Sequence, residues 1–261
     1  MSRALSRLRN VTRDELLVRA GRSLVPTPRA VEMREQVRLL VEDAHALLRP
    51  SRDVDPLALR RTFTLRTSDG IAETFGPELI RRVRKEAPGV QLRFIRKLDK
   101  DSSGLRDGTT DLETGVVDGS IGPEIRSRAL FADRYVGAVR ADHPLARAAV
   151  ASADYASWPH VVTWRPGLDL GEVDQRLKEL GLARTVASTA DGFAVALAIA
   201  RGSDLIATVP SLHTSGIRQG MHSFPIPLAL QDFTVSLLWH PRLDGDPAHR
   251  WLRVIVQETC A

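Results

Sequence analysis

The sequence predicts an α/β protein of two lobes in series, preceded by a short helix, a hairpin and a long amphipathic helix. Three observations carry this. From Arg61 onward β-leaning runs alternate with helical runs, a pattern that predicts mostly parallel sheets covered by helices. The alternation starts afresh at His160. Upstream, between Pro28 and Leu48, apolar residues recur at alternating spacings of three and four.

In chain order, Met1–Arg9 is a helix-like run carrying Arg3, Arg7 and Arg9. Asp14–Pro26 reads as two short strands around Gly21. Thr27-Pro28 is a helix start, because threonine caps free amides and proline suits the first helical position. From there Ala30, Met33, Val37, Leu40, Ala44 and Leu47 form a coiled-coil seam, which predicts self-association through residues 33–47. Arg49-Pro50 stops the helix, and the prolines at 50 and 56 mark a hinge.

In the first lobe Arg61–Thr67 is a strand and Gly70–Ala87 a helix with Ile71, Phe75, Leu79, Ile80 and Val83 on one face. Val90–Ile95 is a strand, Leu98–Asp107 holds a short helix, and Asp111–Val117, Arg126–Phe131 and Tyr135–Arg140 are further strands. In the second lobe His160–Thr163, Thr185–Ser188 and Asp204–Val209 are strands separated by helices at Leu170–Leu180 and Asp191–Arg201. Phe233–His240 and Pro247–Glu258, a strand and a helix, are expected to return to the first lobe and leave a cleft between the two.

Composition narrows the partners. At 261 residues, 43% hydrophobic and 26% charged, the chain has enough apolar content for real cores. No run reaches the roughly 20 apolar residues of a membrane span, and the Arg-rich start is no secretory signal. The single Cys260 allows no internal disulfide and fits a reducing cytoplasm. Residues 1–38 hold nine arginines against four acids, whereas basic and acidic groups cancel over the remainder. The whole net charge of +5 therefore sits in the first 38 residues, the footprint of a polyanion partner or else a solvated basic face.

Three segments carry a family resemblance: Ser2-Arg-Ala-Leu-Ser-Arg-Leu-Arg9, Leu16-Leu-Val-Arg-Ala-Gly-Arg22 and Thr27-Pro-Arg-Ala30. They resemble the end of the recognition helix, the wing and the linker-helix start of LysR-type transcriptional regulators. Asp142-His-Pro-Leu145 and the apolar helix and strand of Ala194–Pro210 extend the likeness. The resemblance implies a winged helix-turn-helix joined to an effector domain of the periplasmic-binding-protein architecture. It also implies that residues 1–27 form a winged helix-turn-helix lacking its N-terminal part, either through a start codon assigned to an internal methionine or through truncation. The misplaced start is favoured, and DNA binding by this exact chain is expected to be impaired. The remaining division is a linker and dimerisation helix at 28–49, a hinge at 50–60, one effector lobe at 61–136 and 233–261, and the other at 137–232.

Within that frame Ser2, Arg3, Ser6 and Arg7 occupy one side of the recognition helix, where polar and basic groups meet base edges and phosphates. Arg19 and Arg22 flank the wing turn at Gly21. Between the lobes, Ser68, Asp69 and Gly70 offer a hydroxyl and free amides at a helix start, where anions are favoured. Asp69 argues against a simple anion unless it only caps the helix. Thr163 and Trp164 after a strand, and Asp191 and Phe193 before a helix, complete the expected cleft, with buried packing as the other reading of Trp164 and Phe193.

The expected function is DNA-binding transcription regulation controlled by a small-molecule effector, by a homodimer or homotetramer, with no membrane partner. A solute-binding module without DNA binding is the alternative. A cleft enzyme is a third reading, although the chain has no Gly-x-Ser-x-Gly elbow, no phosphate-cradling Gly-x-x-x-x-Gly-Lys and no His-Glu-x-x-His. Seven scattered histidines lack metal-ligand spacing, so no metal and no cofactor is expected.

Overall fold

The structure, a computed structural model, describes residues 3–48, 54–119, 121–164 and 171–260, without the side chains of residues 43 and 45–48. It separates into two units, Met1–Arg52 and Asp53–Ala261.

The first unit comprises α1 (Arg3–Thr12), β1 (Leu17–Ala20), β2 (Ser23–Pro26) and α2 (Pro28–Leu48). β1 and β2 form an antiparallel hairpin closed by Gly21-Arg22, with Ala20 opposite Ser23. Gly21 takes φ +66°, the left-handed conformation such two-residue loops demand. Between α1 and β1 the chain turns through left-handed Arg13 and Leu16, a conformation that costs a leucine roughly 1 kcal/mol or more. Hydrogen bonds hold it there. The Leu16 amide donates to Asp14 Oδ1 at 2.7 Å, and the Leu16 carbonyl accepts from the Thr27 amide at 3.0 Å. Thr27 Oγ1 donates to Asp14 at 2.6 Å and accepts from the Ala30 amide at 3.2 Å. The expected threonine cap thus also ties the α1–β1 turn to the start of α2.

The second unit begins with β3 (Arg61–Thr67), α3 (Asp69–Glu86), β4 (Val90–Arg96), α4 (Ser103–Asp107), β5 (Leu112–Val116) and β6 (Arg126–Asp133). It continues with β7 (Tyr135–Arg140), α5 (Ser152–Ser157), β8 (Pro159–Thr163), α6 (Gly171–Glu179), β9 (Thr185–Ala190), α7 (Phe193–Arg201), β10 (Ile206–Pro210) and β11 (Met221–Pro225). β12 (Phe233–Trp239) and α8 (Pro247–Cys260) close it.

These strands make two five-stranded sheets, ordered β4-β3-β5-β12-β6 and β11-β7-β10-β8-β9. Both sheets are mixed, which corrects the mostly parallel expectation. β3, β4 and β5 run parallel, but β12 is antiparallel to both β5 and β6. In the second sheet β8 is parallel to β9 and β10, whereas β7 is antiparallel to β10 and β11. Alternation of local patterns reveals strands and helices but not direction, and the strands that cross between lobes enter each sheet reversed.

Burial of apolar faces holds each lobe together. In the first, Phe63, Leu65 and Leu112 of the sheet meet Leu79 and Val83 of α3 and Leu252 and Ile255 of α8. In the second, alternation along β7 and β10 divides the core between two faces. Val136, Ala207 and Val209 pack with Leu197 of α7. Val139 and Ile206 pack with Tyr155 and Leu177. Two short elements escaped sequence reading. α5 is too short to show a period, and β11 buries only Phe224. Among the described residues no helix is long and apolar enough to cross a membrane.

Candidate functional site

The lobes meet around a cleft of about 440 Å³ whose walls include Ser68, Ile71, Thr114, Val116, Phe193, His213, Gln231 and Phe233. Tyr135 and Phe233, at the two chain crossings, contribute from the hinge side and pack at 5.0 Å between ring centroids.

His213 is the buried polar centre of this cleft. Its ring meets Phe193 edge-on at 5.5 Å and lies 6.4 Å from both Phe131 and Phe233. Nδ1 stands 3.1 Å from Asp133 Oδ2, off the line of a good hydrogen bond, and Nε2 has no hydrogen-bond partner among the described residues. Asp133 itself is well satisfied, accepting the amides of Arg134 (2.8 Å), Leu212 (2.8 Å) and His213 (3.0 Å). Burial pushes its carboxyl up, but His213 and these amides outweigh that and hold it below the usual carboxylate range.

The cations of the first-lobe wall are neutralised locally. Lys97 Nζ lies 2.9 Å from Glu113, a fully buried carboxylate that also receives Arg66 and the Ser102 hydroxyl. Lys100 pairs with Asp118 at 2.6 Å. The Ser68 hydroxyl caps α3 by accepting the Ile71 amide at 3.2 Å. Beside the cleft the lobes are stitched directly. Asp69 Oδ2 accepts the Ala194 amide at 2.8 Å, and Arg96 bonds the Asp191 carboxylate (3.2 Å) and carbonyl (2.9 Å). Thr74 Oγ1 bridges the His213 carbonyl and the Gly216 amide, each at 3.2 Å.

Of the residues expected in the cleft, Ser68 and Phe193 line it. Asp69, Gly70 and Asp191 instead make the lobe-to-lobe contact at its edge; a Cβ on Gly70 would stand 2.7 Å from the His213 carbonyl oxygen. Asp69 does cap a helix, but the one it caps is α7 of the other lobe. Thr163 is buried at the end of β8 with its hydroxyl unpartnered among the described residues. Trp164 is 63% exposed, so neither cleft lining nor buried packing describes it. Sequence reading missed His213, Asp133, Tyr135 and Phe233, which stand far apart in the chain without shared motif spacing.

In the first unit, Arg3, Ser6 and Arg7 are exposed on α1, Arg19 is exposed on β1, and Arg22 sits in the hairpin turn. These four arginines form no ion pair among the described residues; Ser2 lies outside them. Arg9 has a different task, donating to the carbonyls of Glu15 (2.7 Å) and Leu17 (3.0 Å) and so docking α1 on the hairpin. Along α2, Met33 is half-buried while Val37, Leu40 and Ala44 are exposed, Leu40 by 68%. The Leu47 side chain lies outside the described residues.

The family model described as the LysR substrate binding domain matches residues 56–261. Over 99% of its length the chain is 31% identical to the HTH-type transcriptional activator NagR of a Ralstonia species, covering 86% of that protein. It is 30% identical to the HTH-type transcriptional activator NahR of Pseudomonas putida over 98% of this chain and 86% of that one. The regulatory domain of MexT, a transcriptional activator in Pseudomonas aeruginosa, superposes with a TM-score of 0.65 at 26% identity, over 77% of this chain and 98% of that structure. These relatives are transcriptional regulators, not enzymes, and the chain belongs to the LysR family of transcriptional regulators.

Proposed function

We propose that the cleft around His213 binds the effector through which this regulator is controlled. The observation that supports it best is the buried, unpartnered Nε2 of His213 in a cavity walled by both lobes. A buried polar atom without a partner costs roughly 1–3 kcal/mol, and a ligand that bonds it recovers that cost. Nε2 takes a polar partner, so the ligand offers a hydroxyl or amide group there. The rings of Phe193, Phe233 and Tyr135 suit a flat apolar body. Because Lys97 and Lys100 are already paired, the cleft does not demand a strong anion.

Ligand bound to both walls favours whichever lobe angle best satisfies them, which shifts the population of regulator states. The readout is DNA. Arg3, Ser6 and Arg7 on α1 and Arg19 and Arg22 on the hairpin contact the duplex, and α2 pairs with a second copy through Met33, Val37, Leu40, Ala44 and Leu47. A role on DNA makes the chain a cytoplasmic regulator rather than an enzyme.

A thermal-shift screen of small hydroxylated aromatic and heterocyclic compounds tests the cleft. Stabilising compounds are expected to lose their effect in His213→Phe, which keeps an aromatic ring and removes the polar nitrogens, and to alter gel-shift behaviour on operator DNA. Compounds that stabilise wild type and His213→Phe equally would place the effector elsewhere.

A further inference from the structure

A second cavity of about 410 Å³ adjoins the cleft and shares Tyr135, Gln231 and Asp232 with it. Its distinctive group is Arg218. The guanidinium donates to Thr214 Oγ1 at 3.0 Å, to the Ser223 hydroxyl and to the Ser211 carbonyl, all neutral acceptors. No carboxylate lies within ion-pair distance of Arg218 or of Arg134, the other cation on the wall, among the described residues. Asp133 is near, but its oxygens are occupied by the amides of Arg134, Leu212 and His213. Burial pulls the Arg218 guanidinium below its ordinary range, as expected of a charge whose water has been removed without an anion in return. The lining also includes the apolar Phe224, Ile226 and Leu228.

We propose that this cavity is a second small-molecule site, taking a monocarboxylate with a short apolar body. The carboxylate lies against Arg218 and Arg134, since a guanidinium keeps donors for such a group after its three neutral bonds are made. The apolar body lies against Phe224, Ile226 and Leu228. Asp232 on the wall, together with nearby Asp133, disfavours a dianion. Tyr135 and Gln231 belong to both cavities and stand at the crossings, so occupancy of one site changes affinity at the other, and by linkage the effect is mutual. The second site rests on Arg218, Arg134 and its own apolar lining, whatever the identity of the cleft's ligand.

Sodium hexanoate is the probe, titrated against the full chain at constant ionic strength while the thermal midpoint is followed. Hexanoate is expected to raise the midpoint saturably, and hexan-1-ol is not. Arg134→Ala, at an exposed position that leaves the core intact, and Arg218→Gln are each expected to weaken the response at least about fivefold. Lys100→Met, which removes a cation of the cleft, reports on the competing location. No saturable shift, an equal response to hexan-1-ol, or weakening by Lys100→Met with Arg134→Ala unaffected would each overturn the second site.

Discussion

The Asp69 carboxylate, on the first lobe, accepts the amide hydrogen of Ala194 in the opening turn of α7, on the second, at 2.8 Å. The cap position of α7 is Gly192, which has no side chain to offer. The first lobe therefore supplies the capping acceptor across the boundary, and negative charge there also suits the helix dipole. Asp69→Ala is expected to cost about 1 kcal/mol of stability in urea unfolding and to speed hydrogen exchange at the Ala194 amide. Asp69→Asn, which keeps an acceptor, should cost less. Unchanged exchange in Asp69→Ala would show that this contact does not form in solution.

Gly70 closes the same boundary by being small. A Cβ there would stand 2.7 Å from the His213 backbone oxygen and 3.0 Å from Thr214 Cγ2. The first neighbour is backbone and cannot rotate away, so Gly70→Ala should force the lobes apart. The expected loss is about 1–3 kcal/mol, read by chemical denaturation, and a stability equal to wild type would rule out so tight an approach.

How much of this was legible beforehand depended on the range of the signal. Thr27-Pro28 and the spaced apolar residues that follow announced α2, and Gly21 announced the hairpin, because caps, turns and periodicity are local. The charge excess of the first 38 residues was equally plain, although Arg9 proved to be a structural clasp. The centre of the cleft was not legible. Asp133 and His213 are 80 residues apart, and His213 opens an irregular stretch with no periodic pattern. Only the docking of β6 beside the turn after β10 brings them together. Likewise Asp69 looked like a cap for its own helix, and nothing local could reveal that Ser68 takes that role while Asp69 reaches α7.

The exposed seam of α2 supports a third expectation. Val37 and Leu40 are 46% and 68% exposed, with Arg38 paired to Glu35 and Glu42 alongside. An apolar stripe flanked by such pairs is the arrangement of a helix that meets another copy. Val37→Asp or Leu40→Asp should weaken self-association at least about tenfold in sedimentation equilibrium, since each places an unpaired charge in an apolar seam. A variant that remains as dimeric as wild type would remove α2 from the interface.

The buried histidines set the acid limb of stability. His160 is fully buried in the second lobe, its Nε2 donating to the Tyr155 carbonyl at 2.9 Å while Nδ1 has no partner among the described residues. Burial lowers this imidazole from an ordinary value of 6.5 to about 4. The unfolded chain therefore takes up a proton near pH 6.5 that the folded chain refuses until about pH 4. Its contribution is fully present above 6.5, is lost as pH falls toward 4, and changes no further below that. Between roughly pH 7 and pH 5 the loss should be about 2 kcal/mol from this residue alone. His143 and His249 are lowered by burial too, so the wild-type slope is steeper than one histidine gives. His160→Gln keeps a donor for Tyr155 and cannot titrate. Urea unfolding at the two pH values should show its pH dependence reduced by that same amount, and a slope identical to wild type would show that His160 is not the proton-refusing group.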